Sequence, residues 1–426
     1  MKTKKKKETM KGVKKNPKII PALTVLIALI LGFILLNANF TYLEALNFLN
    51  PATEEKPVLS EAKSIQELKE IKETKESKKI NGKAFVSGRE LNTAIELEIK
   101  EFAEGLGRAR FMALNEKNDL FVTDLSGGKI FVLTDKNNDG VADEKKVFAE
   151  GLNKPHGIYF YKNELFLAEE NKISKLIDSD NDLKMDQQII LVSNLPTGGN
   201  HATRTLIIKD DKMYLSIGSS CNACVETEKR AMIIQYDLGG SNEKVFAEGL
   251  RNSVGIVFHP ITGEIWGTDN GRDFLGDDLP PEEVNIIREG QHYGWPYCYG
   301  NQIEDKSFFK ENFCGKTIAP TVSMQAHSAP LGLRFYEGNS LGKEFNENLF
   351  VAFHGSWNRR NPTGYKIVRI RFENELPVVE DFIEGWLVNG ERWGRPVDII
   401  FSENYMYISD DFTGKIYSVK KANPGA

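Results

Sequence analysis

Cysteine is scarce in this chain: four among 426 residues, at positions 221, 224, 298 and 314. Only one Cys-x-x-Cys pair occurs, in "SIGSSCNAC", and the remaining two cysteines lack the spacing of its mate. A paired zinc site is therefore excluded. A thioredoxin-like centre is excluded too, because it needs a βαβ context and a helix N-terminus that this β-rich stretch does not offer. A basic body is also missing. Residues 1–18 hold nine lysines against one glutamate, which leaves 46 basic and 59 acidic residues for the rest. That acidic body should repel nucleic acid, whose phosphates need a basic face.

Long apolar runs are confined to one place. Ile19–Leu36, "IIPALTVLIALILGFILL", carries no charge. As a helix it would measure about 27 Å, near the minimum for spanning a bilayer. The lysines before it hold that end in the cytoplasm by the positive-inside bias. The run is long for a signal peptide, and "LNANF" is a poor cleavage site, so an uncleaved anchor is expected. The residues that follow, "ATEEKPVLSEAKSIQELKEIKETKESKK", are Glu- and Lys-rich with a thin stripe of Ile65, Leu68 and Ile71. The expected organisation is a cytoplasmic tail (1–18), a transmembrane helix (19–36), a charged stalk (37–84) and an extracytoplasmic domain (85–426).

That domain repeats itself. "FAEGL" occurs verbatim at Phe102–Leu106, Phe148–Leu152 and Phe246–Leu250. Six apolar runs recur: "LFVTD", "LFLAE", "MYLSI", "EIWGTD", "LFVAF" and "MYISD". Most are followed by a further β-rich segment, and one long insertion separates the fourth from the fifth. Short strands at regular spacing predict an all-β array. Four-stranded units that cannot bury both faces alone stack radially, so the expected fold is a six-bladed β-propeller. Functional residues should then lie in loops over the central channel.

Two loops have the oxygen spacing of calcium sites. "DKNNDGVAD" sets out Asp135, Asn137, Asp139 and Asp143, with Gly140 for the sharp turn, but Lys146 where an EF-hand has glutamate. The alternative is an Asx turn held by its own carboxylates. "DSDNDLKMD" repeats the spacing with Asp178, Asp180, Asp182 and Asp186 but has no glycine.

The segments "GGNHATRTLIIKDDKMYLSIGSSCNAC", "EGLRNSVGIVFHPITGEIWGTDNGRD", "EVNIIREGQHYGWPYCYG", "QAHSAPLGLRFY", "VAFHGSWNRRNPTGY" and "GERWGRPVDII" follow one another in order. Here the chain resembles the soluble quinoprotein glucose/sorbosone dehydrogenases, and within them the sorbosone-dehydrogenase-like branch. These are six-bladed propellers that bind pyrroloquinoline quinone (PQQ) and calcium. The resemblance implies oxidation of an aldose or related sugar aldehyde, with electrons passed to a quinone or cytochrome acceptor. It makes His201 the catalytic base. Arg251 and Asn252 match its quinone-contacting "RN" pair, Asn270 a cofactor-contacting amide, and Arg395 a cofactor-binding arginine. The carbonyls of Gly271 and Arg272 fall where the family lends oxygens to calcium. The family lysine has no counterpart, and Arg359 or Arg360 would replace it. The chemistry agrees, since three PQQ carboxylates call for arginines and a sugar hydroxyl for a base near neutrality.

One departure concerns Ser219, which stands where the glucose enzyme has an aspartate that orients the histidine. Asp269 and Asp277 are the carboxylates that would substitute. His327 and His354 could cap loops or serve the site, and Trp295 and Trp357 are expected to pack between blades. The even cysteine count outside the membrane predicts disulfides Cys221–Cys224 and Cys298–Cys314, the second stapling the insertion. Two rival functions fit the same fold. One is a non-catalytic propeller binding a glycan or protein; the other is a metal-dependent lactonase.

Overall fold

The computed structural model describes residues 82–422. The basic tail, the apolar run and the stalk up to residue 81 lie outside the described residues. Among the described residues no helix is long and apolar enough to cross a membrane.

Six four-stranded antiparallel units form the body. Their innermost strands are Ala109–Leu114, Gly157–Tyr161, Arg204–Lys209, Ile256–Phe258, Pro330–Phe335 and Pro396–Phe401. Each packs against the next, and the last packs against the first, closing a ring around a central axis. We number these units blades 1 to 6 in that order. The recurring apolar runs fall on the second strands. Leu120–Asp124, Ile265–Asp269, Leu349–Phe353 and Met406–Asp410 are buried at every residue. Outer strands such as Glu144–Ala149 expose their middle residues. A blade sandwiched between neighbours needs apolar groups on both faces near the axis and polar ones at its rim.

The "FAEGL" repeat straddles a blade boundary. In each copy the outermost strand ends, its glycine turns the chain, and its leucine is buried before the next inner strand. Gly105, Gly151 and Gly249 adopt φ of +68°, +75° and +73°, a region costly to residues with a Cβ. The ring is closed by an early strand: Leu97–Ala103 supplies the outer strand of blade 6, pairing antiparallel with Lys415–Lys421. A hairpin of Gly82–Val86 and Arg89–Thr93 continues the sheet of blade 5 through Leu376–Glu384. The long insertion leaves blade 4 between Glu282–Ile287 and Val322–Met324. It carries the Cys298–Cys314 disulfide, with a Cα separation of 5.8 Å.

Hydroxyls tie blade to blade. The penultimate residue of the second strand donates to a carbonyl at the inner strand of the following blade: Thr123 to His156 O, Ser216 to Ser253 O, Thr268 to Leu331 O and Ser409 to Arg110 O. Each is a buried polar group fully used, so the staples specify which blade lies beside which.

Candidate functional site

Antiparallel blades put two kinds of loop at one end: the segment leading into each inner strand, and the turn between second and third strands. In blades 1, 2, 4 and 6 an acid at the end of the second strand, or one residue past it in blade 2, accepts from the backbone leading into the inner strand. Asp124 takes Arg108 N at 2.9 Å and Glu169 takes Asn153 N at 2.6 Å. Asp269 takes Arg251 N at 2.9 Å and Asn252 N at 2.6 Å, and Asp410 takes Arg395 N at 3.0 Å. Blades 3 and 5 have Ile217 and Phe353 at that position. In blade 3 the loop without this acid holds His201; in blade 5 Ala329 N is taken instead by Glu282 of blade 4 at 3.1 Å, and His354 directly follows Phe353.

His201 enters blade 3 with its ring against the following turn. Its Nδ1 lies 3.0 Å from Ser219 O and 2.9 Å from Ser219 Oγ. A carbonyl only accepts, so Nδ1 carries the proton and Nε2 is left with its lone pair. The Ser219 hydroxyl donates onward to Cys221 O at 2.8 Å, which turns its oxygen toward the ring. Burial, followed by the Arg251 guanidinium, pushes the imidazole pKa down to about 3. Neither Asp269 nor Asp277 bonds to His201; they hold Arg251 and Asn252 N–H and Arg360 N–H respectively. Gly218 permits this closeness, since a Cβ there would sit 2.6 Å from Asn252 Oδ1 and 2.7 Å from His201 Cβ. The Cys221–Cys224 disulfide closes the same turn, as expected.

Arg251 is buried and held by main chain more than by charge. Its Nε donates to Asn222 O at 2.8 Å and its Nη1 to Asn270 O at 3.0 Å. The Asn270 amide donates to Pro330 O at 2.6 Å, and Asn252 Nδ2 reaches Asn270 Oδ1 at 3.4 Å. Gly271 N donates to Glu282 Oε2 at 2.8 Å. The Gly271 and Arg272 carbonyls take no part in the backbone–backbone hydrogen bonds of these loops. Arg272 itself pairs with Asp305 at 2.6 Å. Behind them Glu283, Asp269 and Asp305 line a small, partly open cavity together with Tyr293, Trp295 and Pro296. Burial pushes Glu282 up to about 7; burial and the Asp269 charge push Glu283 up to about 8. Arg251 and Arg272 line the same pocket, so its carboxylates lie beside two guanidiniums.

Across the mouth, Asp411 of blade 6 joins three blades. It takes Arg110 Nη1 at 2.9 Å from blade 1 and lies 2.7 Å from His354 Nε2 of blade 5. Burial alone would raise this carboxyl; the His354 hydrogen bond and the charges of Arg110 and Arg108 outweigh it and hold it below the usual range. Arg395 donates to His354 O and Gly355 O at 3.1 and 3.0 Å. Arg359 bonds Ala326 O and pairs with Asp278 at 3.0 Å, while Arg360 is exposed. His327 caps a loop through Gly276 O at 2.8 Å.

The chain matches the TrAA12-like family model over residues 91–422, most of its length. It belongs to the TrAA12-like family. An uncharacterized protein of Borreliella burgdorferi is 36% identical over 300 residues, 66% of this chain and 79% of that protein. A pyrroloquinoline quinone-dependent pyranose dehydrogenase of Coprinopsis cinerea is 24% identical over 412 residues, 78% of this chain. The match spans 55% of that fungal protein, about half its length. In fold, the calcium structure of the Trichoderma reesei family AA12 enzyme superposes with a TM-score of 0.69 at 21% identity. That covers 78% of this chain and 97% of the other. The holo PQQ domain of the Coprinopsis pyranose dehydrogenase gives 0.66 at 22%, covering 79% and 98%.

In this TrAA12-like chain, most residues singled out from sequence gather at the one end. His201, Arg251, Asn252, Asn270, Gly271, Arg272, Arg359, Arg360 and Arg395 all stand on its loops. Asp135, Asn137, Asp139 and Asp143 do not: their loop joins the third and fourth strands of blade 1, at the opposite end. There the oxygens accept the loop's own N–H groups, Asp135 from Gly140 at 2.8 Å and Asp143 from Lys136 at 2.7 Å. Asp178, Asp180 and Asp186 bring carboxylates together in the matching loop of blade 2. Sequence reasoning missed Glu282, Glu283, Arg110 and Asp411; the adjacent acids in "PPEEVN" were the one available signal. Trp295 is buried as expected at 8% exposure, whereas Trp357 does not pack between blades, being 72% exposed.

Proposed function

We propose that this protein oxidises an aldose or related sugar aldehyde using PQQ and calcium, with His201 as general base. The observation that carries the reading is His201 itself. It is a neutral imidazole fixed through Nδ1 by Ser219, with Nε2 unprotonated, among buried arginines in a chain of this family. The donor set fits the cofactor. Arg251 and Arg395 are bound mainly by carbonyls, which orient a guanidinium without cancelling its charge. Buried N–H groups remain unpartnered on Arg110, Arg204 and Arg230 as well. A ligand with several carboxylates would satisfy such groups.

PQQ, when bound, supplies an ortho-quinone that accepts the hydride of the carbon bearing the substrate hydroxyl. His201 takes the hydroxyl proton at Nε2, and Ser219 keeps the ring in the required tautomer throughout. Arg251, Asn252, Asn270, Arg395 and the Arg359–Arg360 pair would hold the cofactor. The carbonyls of Gly271 and Arg272 would hold calcium beside it, and the Asp135–Asp143 loop is a second, structural candidate. We place the propeller outside the cytoplasmic membrane behind an anchor at 19–36, delivering electrons to a quinone or cytochrome.

Calorimetric titration of the purified protein with PQQ and calcium, with dye reduction over an aldose panel, tests this. Saturable binding and sugar-dependent turnover are expected; absence of PQQ binding would remove the dehydrogenase reading. Ser219 gives a finer prediction. Ser219→Asp adds a carboxylate to Nδ1–H and raises the His201 pKa. An acid limb, absent near neutrality in the wild type because the folded pKa is about 3, should then move up the kcat/KM–pH profile.

A further inference from the structure

Two large aromatic rings are presented to solvent on the same face as His201. Phe274, in the blade 4 loop, is 74% exposed, and Trp357, in the blade 5 loop, is 72% exposed. They meet edge-to-face with centroids 6.1 Å apart. Even paired, the two rings leave most of their apolar surface in water, and such exposed patches mark contact sites. Phe274 also holds φ of +71°, which is costly for a bulky side chain and is tolerated where the surroundings enforce it.

Those surroundings are rigid and polar. Asp273 N donates to Asn222 Oδ1 at 2.8 Å, and Asn358 Nδ2 donates to Asp273 Oδ1 at 2.6 Å. The three loops are thus locked together directly beneath the rings. Asn358 Oδ1 is buried without a hydrogen-bond partner among the described residues. Asn222 also bonds Arg251 and sits in the same disulfide-closed turn as Ser219, which connects the ring pair to the base.

We propose that Phe274 and Trp357 form a saccharide-stacking subsite that holds a second pyranose ring, outside the one His201 deprotonates. The substrate class is then a reducing oligosaccharide in preference to a free monosaccharide. Apolar C–H faces of a pyranose stack on aromatic rings, while the flanking amide and carboxylate groups address its hydroxyls. The rings stand exposed on the blade 4 and blade 5 loops, and His201 is partly buried on the blade 3 loop, so the pair is assigned to a separate sugar ring. This inference rests on the sugar-oxidation reading, and its test separates the two.

Trp357 is a private reporter, because the other four tryptophans are 9% exposed or less. Titrating the cofactor-free protein with glucose, cellobiose and maltose should give a saturable emission change with a disaccharide, weaker with glucose and absent in Trp357→Ala. In the cofactor-loaded enzyme, Trp357→Ala and Phe274→Gly should raise the KM of the disaccharide about tenfold, leaving kcat and the glucose KM within about twofold. Phe274→Gly relieves the backbone, so its melting temperature should hold or rise, separating lost binding from lost folding. Absence of any disaccharide-dependent emission change overturns the subsite, as does an unchanged disaccharide KM in both variants with oxidation intact. Disaccharide-dependent emission without turnover supports the subsite and removes the oxidation reading instead.

Discussion

Replacing His201 by alanine is expected to lower kcat for sugar oxidation by about two to four orders of magnitude, the usual worth of a positioned general base. Cofactor affinity should stay within about twofold, because no cofactor-binding role is assigned to this ring. The carbonyl of Ser219 accepts from Nδ1, so the ring is locked as the tautomer with a free Nε2 lone pair. Glutamine at 201 restores a polar group without a basic nitrogen and should rescue nothing. Stopped-flow or steady-state dye reduction reads the first quantity and calorimetry the second. Equal loss of both would make His201 a cofactor ligand. The low pKa has a stability counterpart. Below the ordinary value of 6.5 the unfolded chain binds a proton that the folded protein refuses, so this group withdraws stability as pH falls from 6.5 toward 3.

Asp411→Ala should destabilise the propeller by about 3–5 kcal/mol, the cost of removing one partner from a buried ion pair. The Arg110 side chain is 5% exposed and that of Asp411 3%, so the stranded guanidinium has little access to water. His354 loses its partner at the same time. Urea unfolding followed by tryptophan emission measures the change; a loss below about 1 kcal/mol would mean that water or another carboxylate reaches Arg110. The folded carboxyl titrates below its ordinary 3.8, so its contribution is full above that pH and drains away as pH falls further. Both replacements lie in one mouth, yet the first should cost rate and the second stability.

What could be read in advance followed the reach of each interaction. Six blades were legible because the repeat is local: every "FAEGL" turn and every buried second strand is written within about ten residues. The identity of Ser219 was equally visible, but only part of its effect. Replacing a carboxylate by a hydroxyl leaves the imidazolium without a charged partner, in keeping with a pKa lowered to about 3, while the backbone carbonyl of the same residue sets the tautomer. The Arg110–Asp411 pair spans 301 positions, and no local pattern announces a contact of that range. Glu282 and Glu283 were hidden for another reason. Adjacent acids usually mark a solvated turn, and only the blade shows both buried, Glu282 against Gly271 and Ala329 N–H and Glu283 against Gly300 N–H. Trp357 was misjudged because aromatics in a propeller are mostly packing, and exposure depends on the loop that carries them.

The closing strand has a consequence for how the molecule is made. Leu97–Ala103 is bonded to Lys415–Lys421, so the first blade-forming strand synthesised waits for the last. At about 5–20 residues per second, the ribosome needs roughly a quarter of a minute to a minute to deliver its partner. During that interval the earlier blades can stack as they emerge, but the outer strand of blade 6 has no inner strands to pair with and stays available to neighbouring chains. Holding that strand apart until the chain is finished is a task for chaperones, and crowding nascent copies together should produce swapped rings before it produces unfolded ones.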